Sequence, residues 1–191
     1  MFEKFRSRFP VSDERWDNYV SCFKRLEVPA REVLVREGEI SKKLFVIEKG
    51  CARVWFNNNG KDVTFQFFFE NNSVASIESF RKKIPSMVTV ETVEPCVLWY
   101  IHKKDLDRIL DETNEIKILR DKFIDIIFQR TFDYMKHFFS TIKDTPTQRY
   151  LDLIAEKPEI VLRVPQHYIA SYLGISTVHL SRIKSKLAHK I

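Results

Sequence analysis

Between Gln166 and Leu187 the residue types and their spacing suit a helix that reads a polyanion. Ile169, Leu173, Ile175, Leu180 and Ile183 recur as the inward positions of two short helices. Ala170 is small where those helices would cross, and Gly174 falls in the turn, where a residue without Cβ can take φ > 0. Ser176 precedes the second helix, its hydroxyl placed to accept a first-turn N–H. With the inward positions assigned, Thr177, Val178, Ser181, Arg182 and Ser185 share the outward face, Lys184 and Lys186 flank it, and Gln166 heads the first helix. Small polar and basic groups on one helix face suit a DNA major groove, where arginine reads guanine, small methyl-bearing side chains touch thymine and lysines reach phosphates. An ordinary helical hairpin shares the periodicity, but it has no need of the small crossing residue, turn glycine, cap and basic face together.

Other reactive residue types do not assemble. His102, His137, His167, His179 and His189 include no pair at metal-ligand spacing, and no cysteine or carboxylate completes a set. Asp105 and Asp107 lie two apart, a spacing that does not face on a helix. There is no phosphate-cradling glycine loop and no nucleophile elbow, so neither an enzyme nor a cofactor or metal is expected. Cys22, Cys51 and Cys96 lack the spacing of a metal or redox motif and are expected reduced and mostly buried. The stretch from Asn71 to Ser86 breaks the surrounding pattern. Asn72, Ser73, Ser76, Glu78 and Arg81 there are the candidate contacts for a small-molecule effector, with Ile77 and Phe80 as anchors, unless the stretch is simply a polar surface loop with a short helix.

The chain has 191 residues, of which 44% are hydrophobic and 30% charged, with only four glycines and seven prolines, which describes a folded soluble protein. No apolar run is long enough to span a bilayer and the start lacks a signal-peptide core, so a cytoplasmic location without a membrane partner is expected. From Pro146 onward seven Lys and Arg face three Asp and Glu, so that quarter carries +4 of the net +6. That is a modest electrostatic footprint for nucleic acid.

The elements that must position the reader follow in order. Phe2, Phe5, Phe9, Trp16, Tyr19, Phe23 and Leu26 predict amphipathic helix over residues 1 to about 27, interrupted at Pro10 and recapped by Ser12. From Val28 to Tyr100 the period becomes two, with strands expected at 31–35, 43–48, 51–56, 62–69, 87–92 and 96–101 and a hairpin turn at Asn58-Asn59-Gly60. So many short antiparallel strands specify a sandwich or jelly roll. Ile116, Leu119, Phe123, Ile126, Ile127, Arg130 and Tyr134 then form a stripe on a helix of 30 Å or more, which predicts a parallel homodimer through that helix. Thr145-Pro146 opens a further helix with Tyr150, Leu151 and Ile154 inward; Lys157-Pro158 ends it, and Val161–Val164 reads as extended. The expected division is a β-roll domain over 1–113, a dimerisation helix over 114–139 and a helix-turn-helix domain over 140–191.

This order of elements resembles the Crp/Fnr family of bacterial transcription regulators. The likeness is most specific in Arg163-Val164-Pro165-Gln166, Ile169-Ala170-Ser171-Tyr172-Leu173-Gly174-Ile175-Ser176 and Leu180-Ser181-Arg182-Ile183, which look like the short Bacteroidetes form. The resemblance implies an α+β chain: an antiparallel double-stranded β-helix like that of cyclic-nucleotide sensors, a dimerising helix and a DNA-binding domain. It implies a homodimer on double-stranded DNA with an unidentified small-molecule effector. The family's cyclic-nucleotide binders carry an Arg-Ser or Arg-Thr pair where this chain reads Ile84-Pro85-Ser86-Met87, so cyclic AMP is not the expected effector. Thr177 and Val178 stand where the catabolite-activator branch carries base-reading Arg and Glu, whereas Arg182 matches a base-reading arginine. Four residues follow Leu187, so a wingless or wing-truncated form is expected. A sensing module with weak or lost DNA binding is the alternative expectation.

Overall fold

The computed structural model describes Phe2, Arg6 and residues 10–188; the helical positions expected at Phe5 and Phe9, and His189, lie outside these. The chain divides into two compact units, Met1–Val54 with Phe68–Ile126, and Trp55–Phe67 with Ile127–Ile191.

In the first unit, Ser12 Oγ accepts Arg15 N–H at 3.3 Å and starts helix α1 (Asp13–Ser21). Tyr19 packs on Ile101 and Ile109, and its phenol donates to Glu112 Oε2 at 3.0 Å. The expected helix does not reach residue 27. Instead β1 (Lys24–Val28) runs antiparallel to β8 (Cys96–His102), from Lys24↔Tyr100 to Val28↔Cys96. Leu26 meets the helical spacing from Phe23 and the strand spacing to Val28 equally, and the core claims it with Val28 as a strand residue.

The remaining strands are β2 (Val33–Val35), β3 (Lys43–Lys49), β4 (Ala52–Asn58), β5 (Lys61–Phe68), β6 (Ser73–Val74) and β7 (Thr89–Thr92). They form two four-stranded sheets, ordered β1-β8-β3-β6 and β2-β7-β4-β5. Val35, Phe45, Ile47, Ala52, Val54, Phe68, Val74, Val90, Cys96 and Leu98 fill one buried core, as inward residues of a jelly roll must. Asn59 and Gly60 both have positive φ, the requirement of a two-residue turn between β4 and β5. Within 71–86 a short helix, α2 (Ile77–Lys82), buries Phe80 but leaves Ile77 48% exposed, so only Phe80 anchors it.

Gly50 joins β3 to β4 at φ +107°, and a Cβ there would lie 2.5 Å from Cys96 Sγ and 2.9 Å from the Pro95 carbonyl. Both the backbone conformation and the space exclude a side chain. Gly50→Ala should cost about 3 kcal/mol, seen as a lowered urea midpoint at unchanged slope; an unchanged midpoint would show that the corner relaxes freely.

After α3 (Lys103–Thr113), α4 (Lys117–Lys143) continues for 27 residues, about 40 Å at 1.5 Å per residue. Of the stripe expected to pair, Leu119 is buried, Arg130 and Tyr134 are half-buried, and Phe123, Ile126 and Ile127 are exposed. Ile116 precedes the helix and is half-buried. In the second unit the Tyr134 ring packs on Phe65 of β5 at 5.0 Å, which takes this face of α4 into its own chain. Burial raises the Tyr134 phenol and lowers the Arg130 guanidinium below its ordinary range.

Thr145 Oγ1 accepts Gln148 N–H at 3.2 Å and opens α5 (Pro146–Glu156). Its inward side chains are Tyr150 and Leu153, whereas Leu151 and Ile154, expected inward, are 39% and 40% exposed. Of the stretch expected to be extended, residues 161–163 belong to helix α6 (Pro158–Arg163), with Pro158 in the first turn, where its missing N–H costs nothing, and Ile160 buried, whereas Val164 is extended. Helices α7 (Gln166–Tyr172) and α8 (Thr177–Ala188) complete this unit.

Candidate nucleic-acid interface

Between α7 and α8 the backbone closes a two-bond C-terminal cap. Ile175 N–H donates to Ala170 O at 2.9 Å and Gly174 N–H to Ser171 O at 3.0 Å, with Gly174 at φ +66°. This is the cap that a glycine one residue beyond a helix permits, and it sets the angle at which the chain enters α8. Ser176 Oγ then accepts His179 N–H at 3.1 Å, the third residue of α8, as the sequence predicts. Ile169, Ala170, Leu173, Leu180 and Ile183 are buried at 3% exposure or less, so the two helices are locked by their apolar faces.

That locking determines what α8 presents. Ser176, Thr177, Val178, Ser181, Arg182, Ser185 and Lys186 are exposed, Lys184 is half-buried, and Gln166 is exposed at the start of α7. The structure thus brings the expected outer residues of α8 onto a single helix surface, with Gln166 apart on α7. It adds His179, exposed one turn before Arg182, which the metal-ligand criterion passed over because it tests pairs.

Two other supports were not visible in sequence. Ser171 Oγ accepts Thr64 N–H at 2.9 Å and donates to Asp62 O at 2.8 Å, so α7 covers the backbone of β5, a strand at the end of its sheet. Arg149 donates to Asp144 O at 2.9 Å and Thr141 O at 3.3 Å behind α4, and to Leu173 O at 3.0 Å in the helix-turn-helix turn. One guanidinium therefore fastens the α4–α5 joint to the turn between α7 and α8.

His137 of α4 stacks on Tyr172 of α7, with ring centroids 4.3 Å apart and planes 12° from parallel. Burial lowers the His137 pKa first, and the charges of Lys157 and Arg149 lower it further. Burial pushes the Tyr172 phenol up to about 12, with Asp133 and Glu156 adding to it. The folded imidazole is therefore held neutral, whereas the unfolded one takes up a proton below about pH 6.5. Its contribution to stability is present above that pH and is lost as pH falls toward the folded pKa, by up to about 1.4 kcal/mol per pH unit. Chemical unfolding across that range should show the loss in the wild type and a smaller one in His137→Phe, which keeps a ring on Tyr172. Equal slopes would assign the loss to other groups.

The candidate effector residues sit differently. Asn72, Glu78 and Arg81 are exposed, and Ser73 is half-buried. Glu78 pairs with Lys82 at 2.7 Å, and the buried Ser76 Oγ lies 2.8 Å from Ser86 Oγ. Arg53, fully buried on β4, has its charge matched by Glu91 at 3.3 Å. All three cysteines are free; Cys51 and Cys96 are buried, and Cys22 is partly exposed. Among the described residues no group of three or more His, Cys, Asp or Glu could hold a metal ion, and no helix is long and apolar enough to cross a membrane.

Comparison with known proteins places this architecture. Residues 25–113 match the family model of the cyclic nucleotide-binding domain. A transcriptional regulator of the Crp/Fnr family from Eubacterium rectale superposes with a TM-score of 0.74 at 15% identity, over 97% of this chain and 89% of that one. The chain has the Crp/Fnr fold. FixK2 from Bradyrhizobium japonicum shares that Crp/Fnr fold with a TM-score of 0.75 at 14% identity, over 88% of this chain and 85% of that one. In sequence, the cAMP-dependent protein kinase regulatory subunit of Blastocladiella emersonii is 25% identical over 117 residues, 60% of this chain. The chain spans 29% of the length of that curated relative. Along the chain, the cyclic-nucleotide-binding-like domain comes first, then the long α4, then the helix-turn-helix.

Proposed function

We propose that this chain is a homodimeric, sequence-specific DNA-binding transcription regulator that does not respond to cyclic AMP. The observation that carries the reading is the capped α8, whose buried Leu180 and Ile183 leave Thr177, Val178, Ser181, Arg182, Ser185 and Lys186 facing solvent together. Arg182 reads a base, Thr177 and Val178 touch thymine methyl groups, and Gln166, Ser176, Ser181, Lys184, Ser185 and Lys186 serve the backbone or the groove. Functionally the chain divides into an effector part over 1–113, a dimerisation helix over 114–139 and a reader over 140–191.

The dimer forms through α4, in a register set by its uncovered side chains. Phe128, Phe132, Met135, Phe139 and Ile142 are 55%, 58%, 46%, 55% and 71% exposed and succeed one another by four, three, four and three residues. That alternation is the seam of a two-stranded coiled coil. Ile126, Ile127 and Phe123 of the sequence-derived stripe lie toward the N-terminal half of the same helix.

The effector is a small molecule of the roll, contacted from Asn72, Ser73, Ser76, Glu78 and Arg81. Cyclic AMP is disfavoured because its charged phosphate needs an arginine or a nest of N–H donors once out of water, and Ser86 stands in the arginine-bearing stretch with its hydroxyl near Ser76.

Selection from a random duplex library at about 0.15 M salt tests the reading. An enriched inverted repeat is expected, unchanged by added cyclic AMP. No enrichment by protein shown to be folded and dimeric would overturn it.

A further inference from the structure

In the first unit, Ile40, Ser41, Lys42, Lys83, His102, Lys103, Lys104 and Asp107 line a cavity of about 420 Å³. That volume suits a small ligand. Four ammonium groups and one imidazole meet a single carboxylate, and that carboxylate is already engaged: Lys103 Nζ lies 2.8 and 2.7 Å from the two oxygens of Asp107. Lys42, Lys83 and Lys104 are exposed around it, and none of them has an acid of its own in the lining. Like charges held around one concavity repel unless an anion enters.

Lys83 adds a second observation. It ends α2 at φ +58°, ψ +37°, a left-handed conformation in which glycine or asparagine is favoured. A lysine there accepts backbone strain while delivering a cation to the cavity. Ile40, 43% exposed, and the neighbouring Ile84, 39% exposed, give the rim an apolar side.

We infer that this cavity binds a small anion bearing two or more phosphate charges, held by Lys42, Lys83 and Lys104. It is separate from the Asn72–Arg81 stretch, none of whose candidate residues lines it. The inference does not depend on DNA binding.

Inorganic tripolyphosphate is the probe, titrated calorimetrically into the full chain at about 0.1 M salt. Lys42→Gln with Lys104→Gln should weaken binding at least about tenfold, and Lys83→Gly should weaken it while leaving the unfolding midpoint equal or higher, since glycine relieves the positive φ. Asp107→Asn removes the negative charge and releases Lys103, so it should tighten binding about threefold. Opposite signs in two sets of variants cannot both come from misfolding. Undetectable binding at millimolar probe, binding lost in Lys184→Gln with Lys186→Gln instead, or displacement by hexaglutamate more readily than by pyrophosphate would each overturn the inference.

Discussion

Replacing Phe132 and Phe139 together by Asp should yield a monomer whose affinity for an inverted repeat falls by about 10²–10⁴. Both rings are more than half exposed and occupy seam positions seven residues apart on α4, so neither is one of the chain's buried core residues. Each ring withdraws on the order of 100 Å² from water when a second copy covers it, and two facing carboxylates at each level would repel in the paired state. The loss in DNA binding follows from geometry alone. Two linked readers experience each other at an effective concentration near the millimolar range, and a monomer forfeits that gain. Sedimentation of the variant and a half-site titration together check the account: a dimer that persists would place the interface elsewhere. The control is Leu119→Ala, a stripe residue only 2% exposed, which should lower stability and leave the association constant unchanged.

Arg182→Ala should be the other severe lesion. A bidentate arginine–guanine contact discriminates by about 1–3 kcal/mol, so a two-fold complex loses about 2–6 kcal/mol if both copies contact guanine. The distinguishing readout is specificity. Loss of preference at one base pair per half-site, with non-specific affinity little changed, marks a base contact; uniform weakening with a shallower salt dependence marks a phosphate contact. The folded state should be indifferent, because Arg182 is exposed and the helix is held by Leu180 and Ile183 on its other side.

The turn between α7 and α8 was the most legible part of this chain because its information is local. Gly174 and Ser176 each have one conformational use, and the cap bonds use them so. Thr145, Ser12 and Asn59-Gly60 were readable for the same reason. Where a residue satisfies two periods, only tertiary contact decides. Leu26 fits a helix or a strand, and pairing with β8 selects the strand. Val161 favours an extended backbone, yet Pro158 and the buried Ile160 draw it into a short helix, and only Val164 beyond the helix end is extended. The seam posed the harder problem, since α4 carries Phe or Ile on nearly all its sides. Periodicity alone had no means of telling the side that meets Phe65 from the side left uncovered. The candidate effector contacts suffer from the converse: polar loop residues have no period, and Glu78 and Ser76 already have partners within the chain.

The unit that contains the reader is not a continuous stretch of the gene product, for it takes in Trp55–Phe67 as well as Ile127–Ile191. Ser171 bonded to the backbone at Asp62 and Thr64, Phe67 against Tyr172, and Phe65 against Tyr134 are its internal fastenings. A single recombination breakpoint anywhere near residue 127 would therefore inherit only part of it. Grafting the proposed DNA-reading unit onto another domain requires that the hairpin tip travel with the tail, and lineages that exchange the two halves by simple crossover must re-evolve a matching tip.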